Sequence, residues 1–492
     1  MKLVLSYAAL RLLPPAVAAP AHDPAALRPG IVHLGPGNFH RAHMAAYLQD
    51  VMAIRPDAVE WGIVGAGLMP RDRWLVEALR SQDHLYILVE RGTEGERAQV
   101  ISSLVGAVFA ADDPAPLLAT IATPTVRIVS LTVTEGGYCL DRATRQLDLD
   151  HTLIRSDLAT PHAPRSPIGV IVEALRRRRD AKQPAFTALS CDNLPHNGAV
   201  LRDAVLTMAR LRDPALARWI EAEAAFPATM VDRITPVTTD ADRADLTSRY
   251  GIVDACPVAC EPFRQWVVED RFAAGRPPLE DVGVQLVPDV GPYETMKLRL
   301  LNASHHAVAG LGRLLGHATI ADCLADPDLR ALMSALMDRE TGPTIPPVPG
   351  IDLAAYKRTL LDRFANPAIC DTPARIVADG SPGITLEPIA ERLRTGGSVE
   401  LLTLGLAGWM RCMTGLDEQG GEIVSRHPAA AALRERARSG DGDPAAMLGL
   451  TSVFGDIGSH PGMLVPLRRW LGLLHRSGAR AALATARRDR TL

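Results

Sequence analysis

The sequence has no paired cysteines, no long apolar run and no large surplus of charge of either sign. Its seven cysteines are scattered singly, and the closest two, Cys256 and Cys260, do not form the C-x-x-C pair of a structural zinc site. We therefore expect no metal site, and unpaired thiols suit a reducing cytosol. The net charge of -3 gives no general attraction to nucleic acid or to an anionic membrane. A small molecule is the expected partner.

Neither a signal peptide nor a membrane anchor is expected. The opening residues MKLVLSYAALRLLPP imitate a secretory signal, but Arg11 and the Pro14–Pro15 pair interrupt the apolar run. No other apolar stretch of the sequence is long and uninterrupted enough to span a bilayer. We expect the opening residues to form an arm that packs on the first domain, and the protein to be cytoplasmic.

The 492 residues are too many for one compact core, so the length predicts two domains. In the first half, short β-branched runs alternate with segments of helical spacing such as 39–54 and 167–179, which predicts a doubly wound α/β sheet. The predicted strands cover residues 31–34, 61–68, 85–90, 126–134 and 185–193.

From residue 297 onward the chain is rich in leucine and alanine at helical spacing, which predicts a mainly α-helical region. We assign residues 1–290 to a Rossmann-type dinucleotide-binding domain and residues 291–492 to a mainly helical substrate and catalytic domain. The second domain is expected to supply the residues that carry out the chemistry.

A glycine loop, GPGNFH, joins the first predicted strand to the first predicted helix. Gly35 and Gly37 let the backbone turn tightly and approach a pyrophosphate at the start of the helix. Where the usual G-x-G-x-x-G motif has its third glycine, this chain has His40. Asn38, Phe39 and His40 open the helix and are candidate cofactor-binding residues. Many strand-to-helix turns, however, use glycine for geometry alone.

An acidic residue after the second predicted strand is the next requirement of a dinucleotide site, since a carboxylate there binds the adenosine ribose. The segment WGIVGAGLMPRD supplies Asp72, preceded by Arg71. A carboxylate disfavours a 2'-phosphate and an arginine attracts one. The pair therefore favours NAD as the cofactor and leaves NADP open.

The segment GPYETMKLRLLNASHHAVAGLG, residues 291–312, is the most informative about chemistry. On an ideal helix, with Lys297 at zero, Glu294 lies near about 60°, His305 near about 80° and Asn302 near about 140°. These polar side chains share one broad arc, which either faces solvent or lines a site. Oxidation of a secondary alcohol needs a base and donors to the developing alkoxide. Lys297 is the candidate base, and Asn302 and Asn193, at the end of a predicted strand, are candidate donors.

Taken together, these motifs resemble the mannitol dehydrogenase and fructuronate reductase family of polyol-specific long-chain dehydrogenases. The matching segments run nearly from end to end: GPGNFHRAH (35–43), LTVTEGGYCLD (131–141), SCDNLPHNG (190–198), FPATMVDRITP (226–236), KLRLLNASH (297–305) and PGIDLAAYKRTLLDRFANPAI (349–369). The resemblance implies a metal-independent, monomeric NAD(P) enzyme that interconverts a polyol and a ketose.

The resemblance also implies individual roles. Lys297 is the general base, Asn193 and Asn302 stabilise the alkoxide, His305 orients the substrate, Arg363 contacts a substrate hydroxyl and Glu135 lies near the nicotinamide. Asp232 and Arg233 are expected to brace the site, as an ion pair with each other. Glu294, one helical turn before Lys297, is our candidate for passing the proton from Lys297 to solvent.

Three functions remain open at this stage. A polyol 2-dehydrogenase, with mannitol to fructose as the best guess, is favoured by Gly136, because hexuronate-reducing relatives carry a lysine there. The loop 379–388 lacks a lysine expected in mannitol-oxidising relatives, so arabinitol and sorbitol stay open as substrates. The alternatives are a reductase converting fructuronate to mannonate, and a catalytically silent dinucleotide-binding sensor. The intact set of Lys297, Asn302 and Asn193 argues against the sensor.

Overall fold

The structure, a computed structural model, describes residues 2–141 and 144–492. The chain divides into two compact units, one that ends at Val290 and one that spans Gly291–Leu492.

The first unit contains fourteen strands among its described residues. They are β1 (Leu3–Val4), β2 (Val17–Ala18), β3 (Pro29–Leu34), β4 (Gly62–Gly67), β5 (Tyr86–Gly92), β6 (Gly95–Ile101), β7 (Leu104–Phe109), β8 (Ile128–Leu131), β9 (Thr187–Ser190), β10 (Thr229–Asp232), β11 (Ile252–Val253), β12 (Val258–Cys260), β13 (Gln265–Glu269) and β14 (Gln285–Val287). Its α-helices are α1 (Asn38–Ala42), α2 (Met44–Ile54), α3 (Arg73–Ser81), α4 (Ala115–Ile121), α5 (Thr134–Gly137), α6 (Thr152–Ala159), α7 (Pro167–Asp180), α8 (Asn197–Arg212), α9 (Pro214–Glu223) and α10 (Asp240–Tyr250).

Five of these strands form a parallel sheet in the order β7-β4-β3-β8-β9. Successive residues of each strand point to opposite faces of the sheet. Helices can cover both faces only when the side chains on both faces are apolar. In β3, Ile31 belongs to the core that α2 and α3 cover, and Val32 belongs to the core that α7 and α8 cover. The prediction of a doubly wound α/β fold is confirmed.

The prediction from the sequence assigned one strand to this sheet wrongly and missed another strand that belongs to it. The predicted strand at 85–90 is β5, but it pairs antiparallel with β6 and parallel with β12 in a separate four-stranded sheet, β12-β5-β6-β2. The edge of the main sheet is instead β7, which was not predicted. An apolar run indicates a strand but not the sheet it joins, and only Leu104 and Ala107 of the six residues of β7 are buried.

The opening residues form the expected arm on the first unit. β1 pairs with β11, β2 pairs with β6, and the remaining small sheet has the order β10-β13-β14. Leu5 and Val17 of the arm lie in a buried apolar cluster with residues of β5 and β6. These side chains of the arm are therefore part of the apolar core of the first unit.

The second unit is built from helices, which confirms the prediction of a mainly α-helical region. They are α11 (Gly291–Met296), α12 (Ala303–Leu315), α13 (Ile320–Ala325), α14 (Pro327–Leu336), α15 (Leu353–Phe364), α16 (Pro373–Asp379), α17 (Gly383–Arg394), α18 (Glu400–Cys412), α19 (Ala430–Ser439), α20 (Ala445–Leu448), α21 (Thr451–Phe454) and α22 (Pro461–Arg488). Within the described ranges, no helix is long and apolar enough to cross a membrane.

Helices α12 and α18 pack closely at the centre of this unit. A Cβ atom on Gly405 of α18 would come within 2.5 Å of the Ala307 Cβ of α12, and one on Gly310 would meet the Trp409 backbone nitrogen at 2.8 Å. Only glycine permits such an approach. α12, which carries His305, is therefore held firmly against the core.

The lysine segment is not the continuous α-helix that the sequence predicted. Lys297–Asn302 forms a π-helical turn between α11 and α12, with hydrogen bonds such as that from the Ala303 N–H to the Leu298 carbonyl, five residues back. The angles predicted for an ideal α-helix are wrong beyond Lys297, because a π turn holds more residues than an α turn. The predicted helix 39–54 is likewise broken, at His43, into α1 and α2.

Candidate active site

The glycine loop Gly35–Gly37 leaves the carboxyl end of β3 at the centre of the parallel sheet. Gly35 has φ +82°, and a Cβ atom on it would lie 2.5 Å from the Thr132 carbonyl oxygen. Gly37 is exposed, and a Cβ atom on it would meet only the Gly35 oxygen, at 4.0 Å. The first glycine is thus required by the fold, while the second leaves open space above the loop, as a bound pyrophosphate requires.

A buried histidine that the sequence prediction overlooked supports this loop from below. The Thr132 hydroxyl donates to the Gly35 carbonyl at 2.8 Å, so it accepts at 2.9 Å from the Nε2–H of His33. His33 Nδ1 then accepts from the Ser130 hydroxyl at 2.8 Å. Burial lowers the pKa of His33 to about 3, so the ring stays neutral. A polar residue inside the otherwise apolar run of β3 was the available signal.

His40, a predicted cofactor-binding residue, is buried against His33. The residue is 0% exposed, and its ring stacks on His33 with 3.5 Å between ring centroids. Burial, followed by the nearby His33, holds the pKa of His40 well below its ordinary value. Because no part of the residue reaches the surface, we assign it a supporting role rather than direct contact with a cofactor.

The side chain of Asn38 is also committed to the protein. Its amide donates to the Thr238 hydroxyl at 3.0 Å, and its oxygen accepts from Arg41 at 2.7 Å. Phe39 stacks on the ring of His43, 4.9 Å away between centroids. The backbone at the start of α1, more than these side chains, is therefore what the loop offers to an anion.

Arg233 anchors the same helix through partners distant in the sequence. Its buried guanidinium forms an ion pair with Glu90 and donates to the carbonyl oxygens of Ala42, at 2.5 Å, and Glu261, at 2.9 Å. The signature arginine thus ties the end of α1 to two other segments of the unit. Its role is to fix the position of the glycine loop and helix.

Asp72 lies just beyond the carboxyl end of β4, the strand next to β3. Its Oδ2 accepts hydrogen bonds from the backbone N–H groups of Leu68, at 3.0 Å, and Met69, at 2.9 Å. These bonds fix the carboxylate, while the residue remains partly exposed. Arg71 is exposed, and the guanidinium of Arg73 lies 4.2 Å from the Phe109 ring centroid. The site has the acid that a ribose requires and cations that a 2'-phosphate would attract.

Glu135 and Asn193 follow β8 and β9, which are neighbours in the sheet. Glu135 is exposed in the short helix α5 and pairs with Arg145 at 2.5 Å, and Asn193 is also exposed. Because the strands are parallel, both residues lie at the carboxyl edge that carries the glycine loop and Asp72. Strand order changes direction at β3, where ligands bind in open α/β sheets.

Asp192 connects these two strand ends and was not singled out in the sequence. Its carboxylate accepts from the N–H of Val133 at 3.1 Å, the N–H of Thr134 at 2.7 Å and the Tyr138 hydroxyl at 2.9 Å. Burial raises the pKa of Asp192, and the backbone donors oppose this effect. Its place directly before the predicted Asn193 was the only signal in the sequence.

In the second unit, the π turn brings Lys297 and Asn302 one turn apart, since they are five residues apart. Lys297 is only 8% exposed, and Glu294, one α-helical turn earlier, is partly buried. The Asn302 Oδ1 atom is buried without a hydrogen-bond partner among the described residues. A buried acceptor of this kind indicates a donor supplied by a ligand.

His305 lies next to a carboxylate that the sequence prediction overlooked. Its Nε2 is 3.6 Å from Asp371 Oδ2, and its ring packs on Phe364 at 4.5 Å between centroids. Arg375 binds Asp371 with two 2.7 Å hydrogen bonds. Although burial opposes it, the arginine lowers the pKa of Asp371. The carboxylate therefore stays charged beside the imidazole.

Arg363, the predicted substrate contact, is 7% exposed and lies in the last turn of α15, beside Phe364. Lys297, Asn302, His305 and Arg363 thus all belong to the second unit. Together they offer a buried amine, an amide, an imidazole and a guanidinium. The first unit offers a glycine loop, the carboxylate of Asp72 and the amide of Asn193. These are the groups needed to bind a dinucleotide and to move a proton from an alcohol.

The chain is similar to known proteins over most of its length. The mannitol dehydrogenase Rossmann domain matches residues 29–281, and the mannitol dehydrogenase C-terminal domain matches residues 289–467. D-mannonate oxidoreductase of Escherichia coli (strain K12) is 46% identical over 447 residues, 89% of this chain and 92% of that protein. Mannitol 2-dehydrogenase of Cereibacter sphaeroides is 42% identical over 470 residues, 95% of this chain and 98% of that protein.

Two solved structures are similar over almost the whole chain. The Pseudomonas fluorescens mannitol 2-dehydrogenase ternary complex with NAD and D-mannitol is 41% identical, with a TM-score of 0.91, covering 99% of this chain and 100% of that one. A D-sorbitol dehydrogenase in substrate-free form is 36% identical, with a TM-score of 0.88, covering 97% and 100%. The family models cover most of both units, and the identity to these relatives is far higher than chance would give. The chain belongs to the mannitol dehydrogenase family.

Proposed function

We propose that this protein is an NAD-dependent polyol dehydrogenase that oxidises a secondary alcohol of an acyclic polyol to a ketose, with D-mannitol and D-fructose as the preferred pair. One observation carries the proposal: the buried Lys297 lies one π turn from Asn302, whose buried Oδ1 has no hydrogen-bond partner in the described chain. A base next to an unsatisfied acceptor suits a substrate that brings hydroxyl groups. Similarity to enzymes of mannitol and sorbitol supports the substrate class.

The proposed cofactor is NAD, as in the similar ternary complex. NAD, when bound, would supply the acceptor for the hydride that leaves the carbinol carbon. In this chain, Gly35 and Gly37 would admit the pyrophosphate, and Asp72 would accept hydrogen bonds from the adenosine ribose. Arg71 leaves NADP open as a second cofactor. We assign cofactor binding to residues 1–290 and substrate binding and proton transfer to residues 291–492.

In the proposed mechanism, Lys297 takes the proton of the substrate hydroxyl. Asn193 and Asn302 donate hydrogen bonds to the oxygen as negative charge develops on it. His305, whose Nε2 lies 3.6 Å from Asp371 Oδ2, orients the neighbouring substrate hydroxyls, and Arg363 contacts another. Glu294 passes the proton from Lys297 to solvent. The lysine takes the place of a catalytic metal, so a chelator is expected to leave activity unchanged.

Reduction of a hexuronate, fructuronate to mannonate, is the second candidate. It is favoured by the 46% identity to D-mannonate oxidoreductase. Gly136 argues for a neutral substrate, because the exposed turn has room for a side chain, with no atom within 4 Å of the position a Cβ would take, yet carries none. A cation here would have suited a substrate carboxylate. The silent sensor is the least favoured, since a sensor has no need of a buried base.

A substrate panel with NAD separates these functions. NADH formation is followed with mannitol, arabinitol, sorbitol and mannonate, and NADH consumption with fructose and fructuronate. We expect turnover of mannitol and fructose. Turnover of mannonate and fructuronate alone would establish the hexuronate reductase, and NAD binding without any turnover would establish the sensor.

Replacement of the base tests the mechanism. Lys297→Ala should reduce kcat at least about a thousandfold, which is the fall in rate expected when a positioned general base is removed. NAD binding should remain. Lys357→Ala is the matched control, because Lys357 lies in the same unit but pairs with Asp338 at 2.9 Å. Equal activity of the two variants would contradict the proposed base. The enzyme is expected to be a cytoplasmic monomer, which size-exclusion chromatography of the purified protein and localisation in cells would check.

A further inference from the structure

We propose that Asp192 is a positioning residue, which sets the place of Asn193 relative to the turn that carries Glu135. The inference rests on the proposed function, because it concerns how Asn193 reaches a developing alkoxide. Asp192 and Asn193 are adjacent in the chain, and the Asp192 carboxylate binds the neighbouring strand end through Val133 and Thr134. One side chain thus joins the two turns that follow β8 and β9.

The turn after β8 needs this anchor because its backbone is strained. Thr134 has φ +61°, in the left-handed region that β-branched residues avoid. The N–H groups of Val133 and Thr134, which immediately precede the Thr134 Cα in the chain, both donate to Asp192. Without the carboxylate, the turn would be free to relax toward an ordinary conformation, and Glu135 would move with it.

The other side of Asp192 is fixed as firmly. Its backbone carbonyl accepts from the Asn197 amide at 3.0 Å, and Asn197 also donates to the Thr229 carbonyl at 2.8 Å and accepts from the Thr229 N–H at 3.0 Å. The Tyr138 hydroxyl bonds both Asp192 and the Ser190 hydroxyl, the latter at 2.5 Å. Both the main chain and the side chain of Asp192 are therefore held, directly before the exposed Asn193.

The charge of Asp192, not its size, is what the arrangement uses. Its two carboxylate oxygens accept from three donors, one hydroxyl and two N–H groups. An asparagine of the same shape has one oxygen and one NH2 group, and the NH2 group would face at least one of these donors. Asp192→Asn is thus expected to release one side of the link while the chain still folds.

Asp157→Asn provides a matched control in the same unit. Asp157 is 1% exposed and accepts from the N–H groups of Arg165, at 2.7 Å, and Ser166, at 2.9 Å, and from the Ser166 hydroxyl at 2.5 Å. This pattern of two consecutive N–H groups and one hydroxyl repeats that of Asp192. Asp157, however, anchors the start of α7 and touches none of the proposed catalytic residues. Asp157→Asn should lower the urea midpoint about as much as Asp192→Asn does. It should keep polyol turnover within about twofold of that of the unsubstituted protein.

The experiment compares turnover, cofactor binding and coupling. We expect Asp192→Asn to lower kcat/KM for the polyol about 10- to 100-fold, since a displacement of about 1 Å at a catalytic group has this effect. The dissociation constant for NAD, from fluorescence titration, should change less than the turnover. In a protein that already carries Asn193→Ala, adding Asp192→Asn should lower kcat/KM by less than about threefold, because Asp192 acts through Asn193. Asp157→Asn should act independently of Asn193→Ala.

Three results would overturn the inference. The first is equal turnover of the Asp192→Asn and Asp157→Asn variants. The second is a full additional loss when Asp192→Asn is combined with Asn193→Ala. The third is a loss of NAD binding as large as the loss of turnover. Failure of the unsubstituted protein to turn over any polyol or ketose would refute the proposed function and this inference with it, whereas normal turnover with any of the three results refutes this inference alone.

Discussion

Acidification should destabilise the first unit strongly, because three neighbouring histidines are buried without charge. His33, His40 and His43 are at most 1% exposed. Burial lowers the pKa of His33 and His43 to about 3, and holds that of His40 well below its ordinary value. In the unfolded chain each would titrate near about 6.5. Between these values the unfolded state binds more protons than the folded state, so stability present above about pH 6.5 is lost as the pH falls.

The size of the effect follows from these pKa values. At pH 5, His33 and His43 each gain about 2 kcal/mol from protonation in the unfolded chain that they cannot gain in the folded chain, at about 1.36 kcal/mol per pH unit below about 6.5. His33 and His43 together amount to about 4 kcal/mol, and the buried His40 acts in the same direction. Native domains are stable by roughly 5–15 kcal/mol in total. The first unit should therefore be close to unfolding at pH 5.

The assay is urea unfolding at pH 8, 7, 6 and 5. Tryptophan fluorescence reports on this region, because the Trp266 ring is 0% exposed and its centroid lies 5.6 Å from that of His43. In His40→Phe one of the three buried histidines is gone, so the loss of stability between pH 8 and pH 5 should be smaller than in the parent protein. Any overpacking by the larger ring acts equally at every pH and leaves this difference intact.

The same replacement at an exposed site is the control. The side chain of His162 is 71% exposed, so His162→Phe removes no buried histidine and should leave the pH dependence unchanged. A urea midpoint that stays constant from pH 8 to pH 5 would refute the reasoning. So would a His40→Phe variant with the same pH dependence as the parent.

Three further predictions concern the site. Gly35→Ala should lower the free energy of unfolding by about 1–3 kcal/mol, since its φ is +82°, whereas Gly37→Ala should keep the urea midpoint but weaken NAD binding in a fluorescence titration. The reverse pattern would contradict the roles given to the two glycines. Asp72→Ala should raise the NAD dissociation constant about tenfold and lower that for NADP, and unchanged selectivity would remove Asp72 from the ribose site. Glu294→Gln should alter the pH dependence of kcat, and an unaltered profile would exclude it from proton transfer.

The main features of the fold could be predicted because apolar patterning records burial. β3, β4, β8 and β9 are buried on both faces and read as continuous apolar runs. Such runs do not record which strands pair, so β5 was assigned to the wrong sheet. β7 went unpredicted because an edge strand needs less apolar surface.

A candidate site could be proposed from the sequence where the residue type itself indicates the chemistry, as for Lys297 and Asp72. The residues that hold the site in place were not predicted, because their importance depends on contacts distant in sequence. His33 and Thr132 are 99 residues apart, and Asp192 and Thr134 are 58 residues apart. His40 shows the converse. Its position in the motif suggested a cofactor contact, whereas the structure shows a fully buried residue.

The π turn at Lys297–Asn302 makes the second unit sensitive to the length of its chain rather than to its composition. A π turn holds a residue more than the α-helix around it needs, so it behaves as an insertion that the helix has absorbed. Deleting one residue between Lys297 and Asn302 would let α11 and α12 join as one continuous α-helix. Every side-chain type of the site would still be present, yet Asn302 and His305 would turn by about 100° relative to Lys297. Sequence changes by gain or loss of single residues could thus create or abolish this arrangement in one step, with the helical packing around it retained.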